Sequence, residues 1–165
     1  MIGSAFDYMR ARDLWEQKRS AERLGFVRLE GNTVLQKSGD NFVIKFHDCP
    51  IIVIHPYWPD TSGGPAWTLS GCGYKTATTK QRIGYYAPIE LYQKLGKWVA
   101  VGMYPSGSGR DSVEYYFKDK MVVNEFGMRI DDSADFIESK RVRKNHQPAA
   151  TIIQLIRKAL QGLAS

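Results

Sequence analysis

The sequence predicts an α+β fold: a twisted antiparallel, meander-like sheet flanked by an N-terminal and a C-terminal helix. Three observations carry this. Between about residues 26 and 130, short β-branched or alternating runs recur, separated by Gly, Asn, Asp and Pro turns. Ahead of them, residues 4–24 are charged and free of proline. Behind them, after Pro148, apolar residues return at helical spacing. A length of 165 residues suits one domain, 1–165, with a sizeable core and is short for two.

The first helix spans 4–24, with Phe6, Met9, Leu14, Trp15, Ala21 and Leu24 set among many charges. Ser4 is placed to cap its start and Gly25 to end it. The apolar stripe drifts, so part of the helix packs, and its alternating charges read as a solvated face. From Gly25 the pattern shortens. Phe26–Leu29, Thr33–Gln36, Phe42–Phe46 and Ile51–Ile54 read as strands, with turns at Gly31-Asn32, Ser38–Asn41 and Pro50. Phe42, Ile44 and Phe46 alternate with Val43, Lys45 and His47, as in a half-buried antiparallel strand. Pro56–Pro65, with three prolines and two glycines, reads as an exposed loop carrying Tyr57 and Trp58.

Trp67–Leu69 reads as a strand entering a glycine-rich stretch. Thr79–Tyr86 reads as a short helix, ending near Gly84 or before Pro88. Ile89–Leu95 and Trp98–Tyr104 form a hairpin across Gly96-Lys97, and Pro105–Asp111 is a flexible loop. Val113–Phe117, Met121–Val123 and Phe126–Ile130 continue the strands, with turns at Lys118–Lys120 and Asn124-Glu125. The β-rich body thus covers 26–130. A basic segment and C-terminal helix fill 131–165, with Asp131–Ser133 capping a helical turn and Pro148 opening the last helix. Ile152, Ile153, Leu155, Ile156, Ala159 and Leu160 lie on its apolar stripe.

The formal net charge is +6 and the pI is near 9.3. That balance favours an anionic partner, nucleic acid being the commonest; charge for solubility alone is the competing reading. Two cysteines, Cys49 and Cys72, with no hydrophobic leader over residues 1–12, read as reduced thiols. No apolar run approaches the ~20 residues needed to span a bilayer. The expectation is a soluble, cytoplasmic protein without a membrane partner.

Ser70–Ile83 is the stretch richest in specific chemistry. Lys75–Arg82 packs three threonines, two lysines and one arginine into eight residues. Gly71 and Gly73 allow backbone angles closed to other residues. Thr78 or Thr79 is expected to cap the helix, leaving N–H groups aimed at a ligand. The stretch is not a Walker A loop: Tyr74 separates Gly73 from Lys75, and Thr68 stands where the first glycine belongs. It is not a dinucleotide fingerprint, since Thr76 replaces the last glycine. A nucleic-acid backbone asks for less: N–H groups, hydroxyls and cations. Lys75, Thr76, Thr78, Thr79, Lys80 and Arg82 supply these, and Tyr74, Tyr57 and Trp58 are candidates for base stacking. The plainer alternative is a glycine turn, a capped helix and exposed lysines.

Lys140, Arg141, Arg143 and Lys144 are a second candidate phosphate-binding group; a solvated linker is the alternative. His47, Asp48, Cys49, His55 and Cys72 suggest metal or hydrolytic chemistry. The paired short spacings of a zinc site are missing, and neither histidine lies in a nuclease or protease motif. No Gly-x-Ser-x-Gly elbow occurs. No metal and no cofactor is expected.

Gly73–Ile83, preceded by Phe46-His47-Asp48 and Ile51-Ile52-Val53, resembles a bacteriophage and plasmid family. Its core reads Gly-aromatic-Lys/Arg-Thr-x-Thr-Thr-x-x-Arg-Ile. Tyr116–Val123 resembles that family's closing strand, with Lys120 where a glycine is usual. Gly84 stands where members often carry asparagine. The likeness covers about residues 32–124 and brings no activity with it. It implies an accessory protein of a mobile element in a bacterial host. The expectation is therefore a non-enzymatic nucleic-acid-binding protein. A protein-binding effector against a host defence or transcription complex, and a metal-dependent nuclease-like enzyme, are the alternatives.

Overall fold

The computed structural model describes residues 6–59, 64–107 and 109–131. Ser4, the basic group Lys140, Arg141, Arg143 and Lys144, and the C-terminal helix lie outside the described residues.

The N-terminal segment forms two helices, α1 (Tyr8–Gln17) and α2 (Arg19–Leu24), in place of one over 4–24. Lys18 breaks them with extended backbone, φ −97° and ψ 115°. The drift of the apolar stripe explains the break. Ala11 and Ala21 are both buried, yet in one continuous helix they would point roughly 80° apart. The break lets α1 pack on β2 and β3 while α2 packs on β1. Asp7 caps α1, its Oδ1 accepting from the Arg10 N–H at 2.8 Å. Gly25, at φ 75°, ends α2 as expected.

Among the described residues the strands form two sheets. The larger contains β1 (Val27–Glu30), β2 (Thr33–Ser38), β3 (Asn41–Phe46), β4 (Cys49–His55), β5 (Ala66–Leu69) and β9 (Met121–Val123), in that order. All its neighbours are antiparallel. Its register is set by one row that crosses every strand: Val27, Leu35, Ile44, Ile52, Leu69 and Met121 stand opposite one another in turn. All six are buried. A slip of one residue would turn this row to the other face, so the apolar alternation fixes the pairing. Phe42, Ile54, Trp67 and Val123 make a second buried row. Tyr8 and Trp15 of α1 cover Phe42, with ring centroids 5.1 and 6.3 Å away.

Between β5 and β9 the chain makes an excursion. It forms α3 (Ala77–Tyr86) and a second antiparallel sheet of β6 (Glu90–Lys94), β7 (Lys97–Ser106) and β8 (Gly109–Tyr116). The expected β6–β7 hairpin is present, turning at Leu95 and Gly96 with φ 51° and 76°. The expected loop at 105–111 is instead the end of a long hairpin, paired as far as Ser106 and Gly109. The expected strand at 126–130 is mostly a turn, with one bridge between Val123 and Arg129. That turn is held against the small sheet. Tyr115 donates to the Gly127 carbonyl, and the Met103 N–H donates to Phe126 at 2.8 Å. A Cβ at Gly102 would collide with the Gly127 carbonyl, so the two backbones approach through glycine. Trp98 carries the small sheet back to the large one, its ring 3.5 Å from where a Gly71 Cβ would stand. No helix of the described residues is long and apolar enough to cross a membrane.

Candidate functional site

Two turns and one helix terminus meet at the Cys49 end of β4. The β3–β4 turn is made by His47 and Asp48, both left-handed at φ 49° and 62°. The second turn follows β5. The Ser70 N–H extends the β4 pairing to Ile51 at 2.8 Å. The Gly71 N–H is held by Asp119 Oδ1 at 2.7 Å, and the Cys72 N–H by Ser70 Oγ at 3.1 Å. Cys72 and Gly73 then take left-handed angles, φ 55° and 76°, and turn the chain into α3. Cys49 and Cys72 form a disulfide with Cα atoms 6.4 Å apart, correcting the expectation of reduced thiols. The topology supplies the reason: pairing of β4 with β5 brings two cysteines 23 residues apart within bonding reach.

Helix α3 begins two residues before the expected start, and its cap is Thr76 rather than Thr78 or Thr79. Thr76 Oγ1 accepts from the Thr79 N–H at 3.1 Å and pairs with the Thr79 hydroxyl at 2.9 Å. A cap hydroxyl reaches the N–H three residues on, which places Thr79 inside the first turn, where it is buried. The N–H groups of Ala77 and Thr78 have no partner within the helix. The helix runs through Gly84 and ends at Ala87, whose N–H bonds Ile83, just before Pro88.

These elements enclose a cavity of about 480 Å³. Phe46, Ile51 and the two cysteines give it an apolar side; Thr76, Thr78 and Thr79 give it a hydroxyl side. Tyr74, 70% exposed, His47 and Gly71 complete the lining. Thr78 lines this opening and is exposed, while Lys75, between the lining residues Tyr74 and Thr76, is exposed and Lys80 is half-buried; neither lysine lines the cavity.

Arg82 does not join them. Its guanidinium forms an ion pair with Glu30 and lies over the Phe46 ring, 5.9 Å from the centroid. Glu30 also accepts from the Tyr86 hydroxyl at 2.8 Å. That hydrogen bond, with Arg82, holds the Glu30 carboxyl below its ordinary pKa, and burial beside the carboxylate pushes the Tyr86 hydroxyl up. Arg82 thus locks α3 to the β1–β2 hairpin and supports a cavity wall. Glu30, Phe46 and Asp119 were missed by sequence reasoning. Each acts through a partner at least 36 residues away, which no local pattern announces.

The remaining candidates are elsewhere. His55, Tyr57 and Trp58 lie at the far end of β4, about 20 Å from Cys49 at strand spacing. His55 hydrogen-bonds Thr68 Oγ1 at 2.7 Å and meets the Trp58 ring edge-on at 5.0 Å, so both are packed together. Burial lowers the His55 pKa. Tyr57 is exposed. His47 and Asp48 are therefore separated from His55, and the hydrolytic trio has no common centre. Among the described residues, no three of His, Cys, Asp or Glu gather where they could hold a metal ion.

The fold and site together describe an α+β domain with a cavity built where a disulfide-tied turn enters a helix. Comparison with family models, curated proteins and solved structures finds no match.

Proposed function

We propose that the protein binds nucleic acid without enzymatic chemistry, through the face formed by Tyr74, Lys75, Thr78 and Lys80. The setting is that of an accessory protein of a phage or plasmid acting in the host cytoplasm. The single observation that carries the reading is the cavity at the start of α3. It sets an aromatic and apolar side (Phe46, Tyr74) against the hydroxyls of Thr76, Thr78 and Thr79, with Lys75 and Lys80 adjoining these residues in sequence. An unstacked base fits the first kind of surface and a phosphate the second. The cavity is about 480 Å³, room for one nucleotide and not for a duplex end, so single strands are the preferred form.

Fluorescence anisotropy of labelled single-stranded and duplex DNA and RNA, across a salt series, tests this. Two or three phosphate contacts on a single strand predict a log–log salt slope of about −1.4 to −2. Lys75→Ala with Lys80→Ala should weaken binding and flatten that slope. Binding that ignores both lysines sinks the proposal. Absence of binding at low salt redirects the search to a host protein partner.

A further inference from the structure

Cys49 and Cys72, joined by the disulfide, both line the cavity, and neither cysteine is fully buried. A disulfide open to solvent at a cavity wall can be reached by a small thiol, unlike one sealed in a core. What it holds is also unusual. Cys72 is a non-glycine residue in the left-handed region, φ 55°, a conformation that persists when its surroundings impose it. Its own N–H goes to Ser70 and the Tyr74 N–H goes back to Gly71, both within the turn. The base of the turn has separate anchors, Gly71 to Asp119 and Ser70 to Ile51. Beyond Gly71 the sulfur–sulfur bond ties the turn to β4, and Tyr74, Lys75 and Thr76 follow directly.

We propose that Cys49–Cys72 is a thiol–disulfide exchange site, and that its redox state sets the shape of residues 72–76. The co-reactant is a dithiol. One of its thiolates attacks a sulfur of the pair, forming a mixed disulfide as the Cys49–Cys72 bond breaks and the other sulfur leaves as thiolate. The second thiol of the reductant then displaces the bound sulfur. The products are two cysteine thiols and an oxidised reductant, with two electrons and two protons transferred to the protein. Freed of the tie, Cys72 relaxes from its left-handed angle between Gly71 and Gly73. Tyr74 and Lys75 then move off the cavity rim while the six-stranded sheet stays intact. The effect on nucleic-acid affinity rests on the function proposed above; the exchange and the movement do not.

The experiment compares the full chain oxidised, reduced with dithiothreitol without denaturant, and as the Cys49→Ser/Cys72→Ser variant. Free thiols are counted by alkylation and mass spectrometry. Hydrogen exchange follows the amides of residues 72–76, and anisotropy follows a labelled single strand. The expected result is two thiols on reduction, a β-sheet circular dichroism spectrum retained, and exchange at 72–76 faster by about tenfold or more. Nucleic-acid affinity should fall about tenfold, and oxidised glutathione should restore it in the native chain and not in the variant. Three results overturn the proposal: no reaction until the chain is denatured, global unfolding on reduction, or unchanged exchange at 72–76. Unchanged exchange with tight, salt-sensitive binding removes the switch and leaves the binding function standing. Faster exchange in a chain that binds no nucleic acid does the reverse.

Discussion

Arg82 on α3 and Glu30 at the end of β1 form an ion pair that spans from the helix to the first hairpin. The Arg82 side chain is 21% exposed and that of Glu30 41%, so the pair is screened on one side and its direct worth is modest. Its packing over Phe46 adds to that. We expect Arg82→Ala to cost about 1–2 kcal/mol by urea denaturation, through lost packing as well as lost charge. The salt slope of nucleic-acid binding should stay as in the parent protein. A reduced slope in a fully folded variant would make Arg82 a phosphate contact after all.

The same pair sets a pH dependence. The folded-state pKa of Glu30 lies below its unfolded value, so the native chain binds fewer protons and is favoured as pH rises. The contribution is complete at neutral pH and is lost as pH falls through the depressed native value. Melting temperatures of the parent and Glu30→Gln should differ at pH 7 and converge in acid. A difference that does not shrink as the pH is lowered would refute this.

Thr76 is the cap of α3, and replacing it tests the placement of the helix start. Thr76→Ala should cost about 1 kcal/mol, while Thr76→Ser should be nearly neutral because the hydroxyl remains. Thr78→Ala, at an exposed position, should leave stability within about 0.5 kcal/mol. The reverse order of effects would move the cap to Thr78.

Gly102 faces the Gly127 carbonyl with no room for a side chain. Gly102→Ala forces backbone apart between the small sheet and the 124–128 turn, and should cost about 2 kcal/mol or more. Gly84→Ala, where an added Cβ meets open space in a helix, should be neutral or stabilising by up to about 1 kcal/mol. Calorimetry of the two variants decides.

The disulfide closes a loop with a separation of 23 residues. In the chain-entropy account it stabilises by about 3 kcal/mol. The Cys49→Ser/Cys72→Ser variant should show that loss in denaturant titration while remaining folded.

Much of this architecture is legible in the residues. The Phe42–Phe46 alternation gave β3, and Gly96-Lys97 announced the β6–β7 turn, which the chain makes one residue earlier, at Leu95-Gly96. Gly25 marked the end of α2. Local chemistry suffices in such places, because a turn angle or a period of two is set by neighbours in the chain. Long-range events are not written locally. Splitting of the strands into two sheets depends on Trp98 meeting Gly71 and on Gly102 meeting Gly127. The disulfide depends on β4–β5 register. In the site, the threonines and lysines were visible as a group, and Thr76, Thr78 and Thr79 do line one cavity. Arg82 was grouped with them by proximity in sequence, yet its guanidinium is engaged by Glu30 and the Phe46 ring. Tyr57 and Trp58 were joined to Tyr74 by residue type, and β4 holds them a strand length apart.

The large sheet has one seam that the chain crosses late. Leu69 of β5 pairs with Met121 of β9, and the Lys120 N–H bonds the Leu69 carbonyl at 2.7 Å. Everything between them, α3 and the small sheet, leaves and re-enters through this narrow neck, with Gly71 and Asp119 as a second clasp. Closing an excursion of some fifty residues costs about 3.5 kcal/mol of chain entropy beyond a constant. A ribosome must therefore release the chain past Val123 before the sixth strand can seat, and the hairpins β1–β5 wait with one edge open until then. The Gly71–Asp119 clasp at the base of the cavity's loop closes only then.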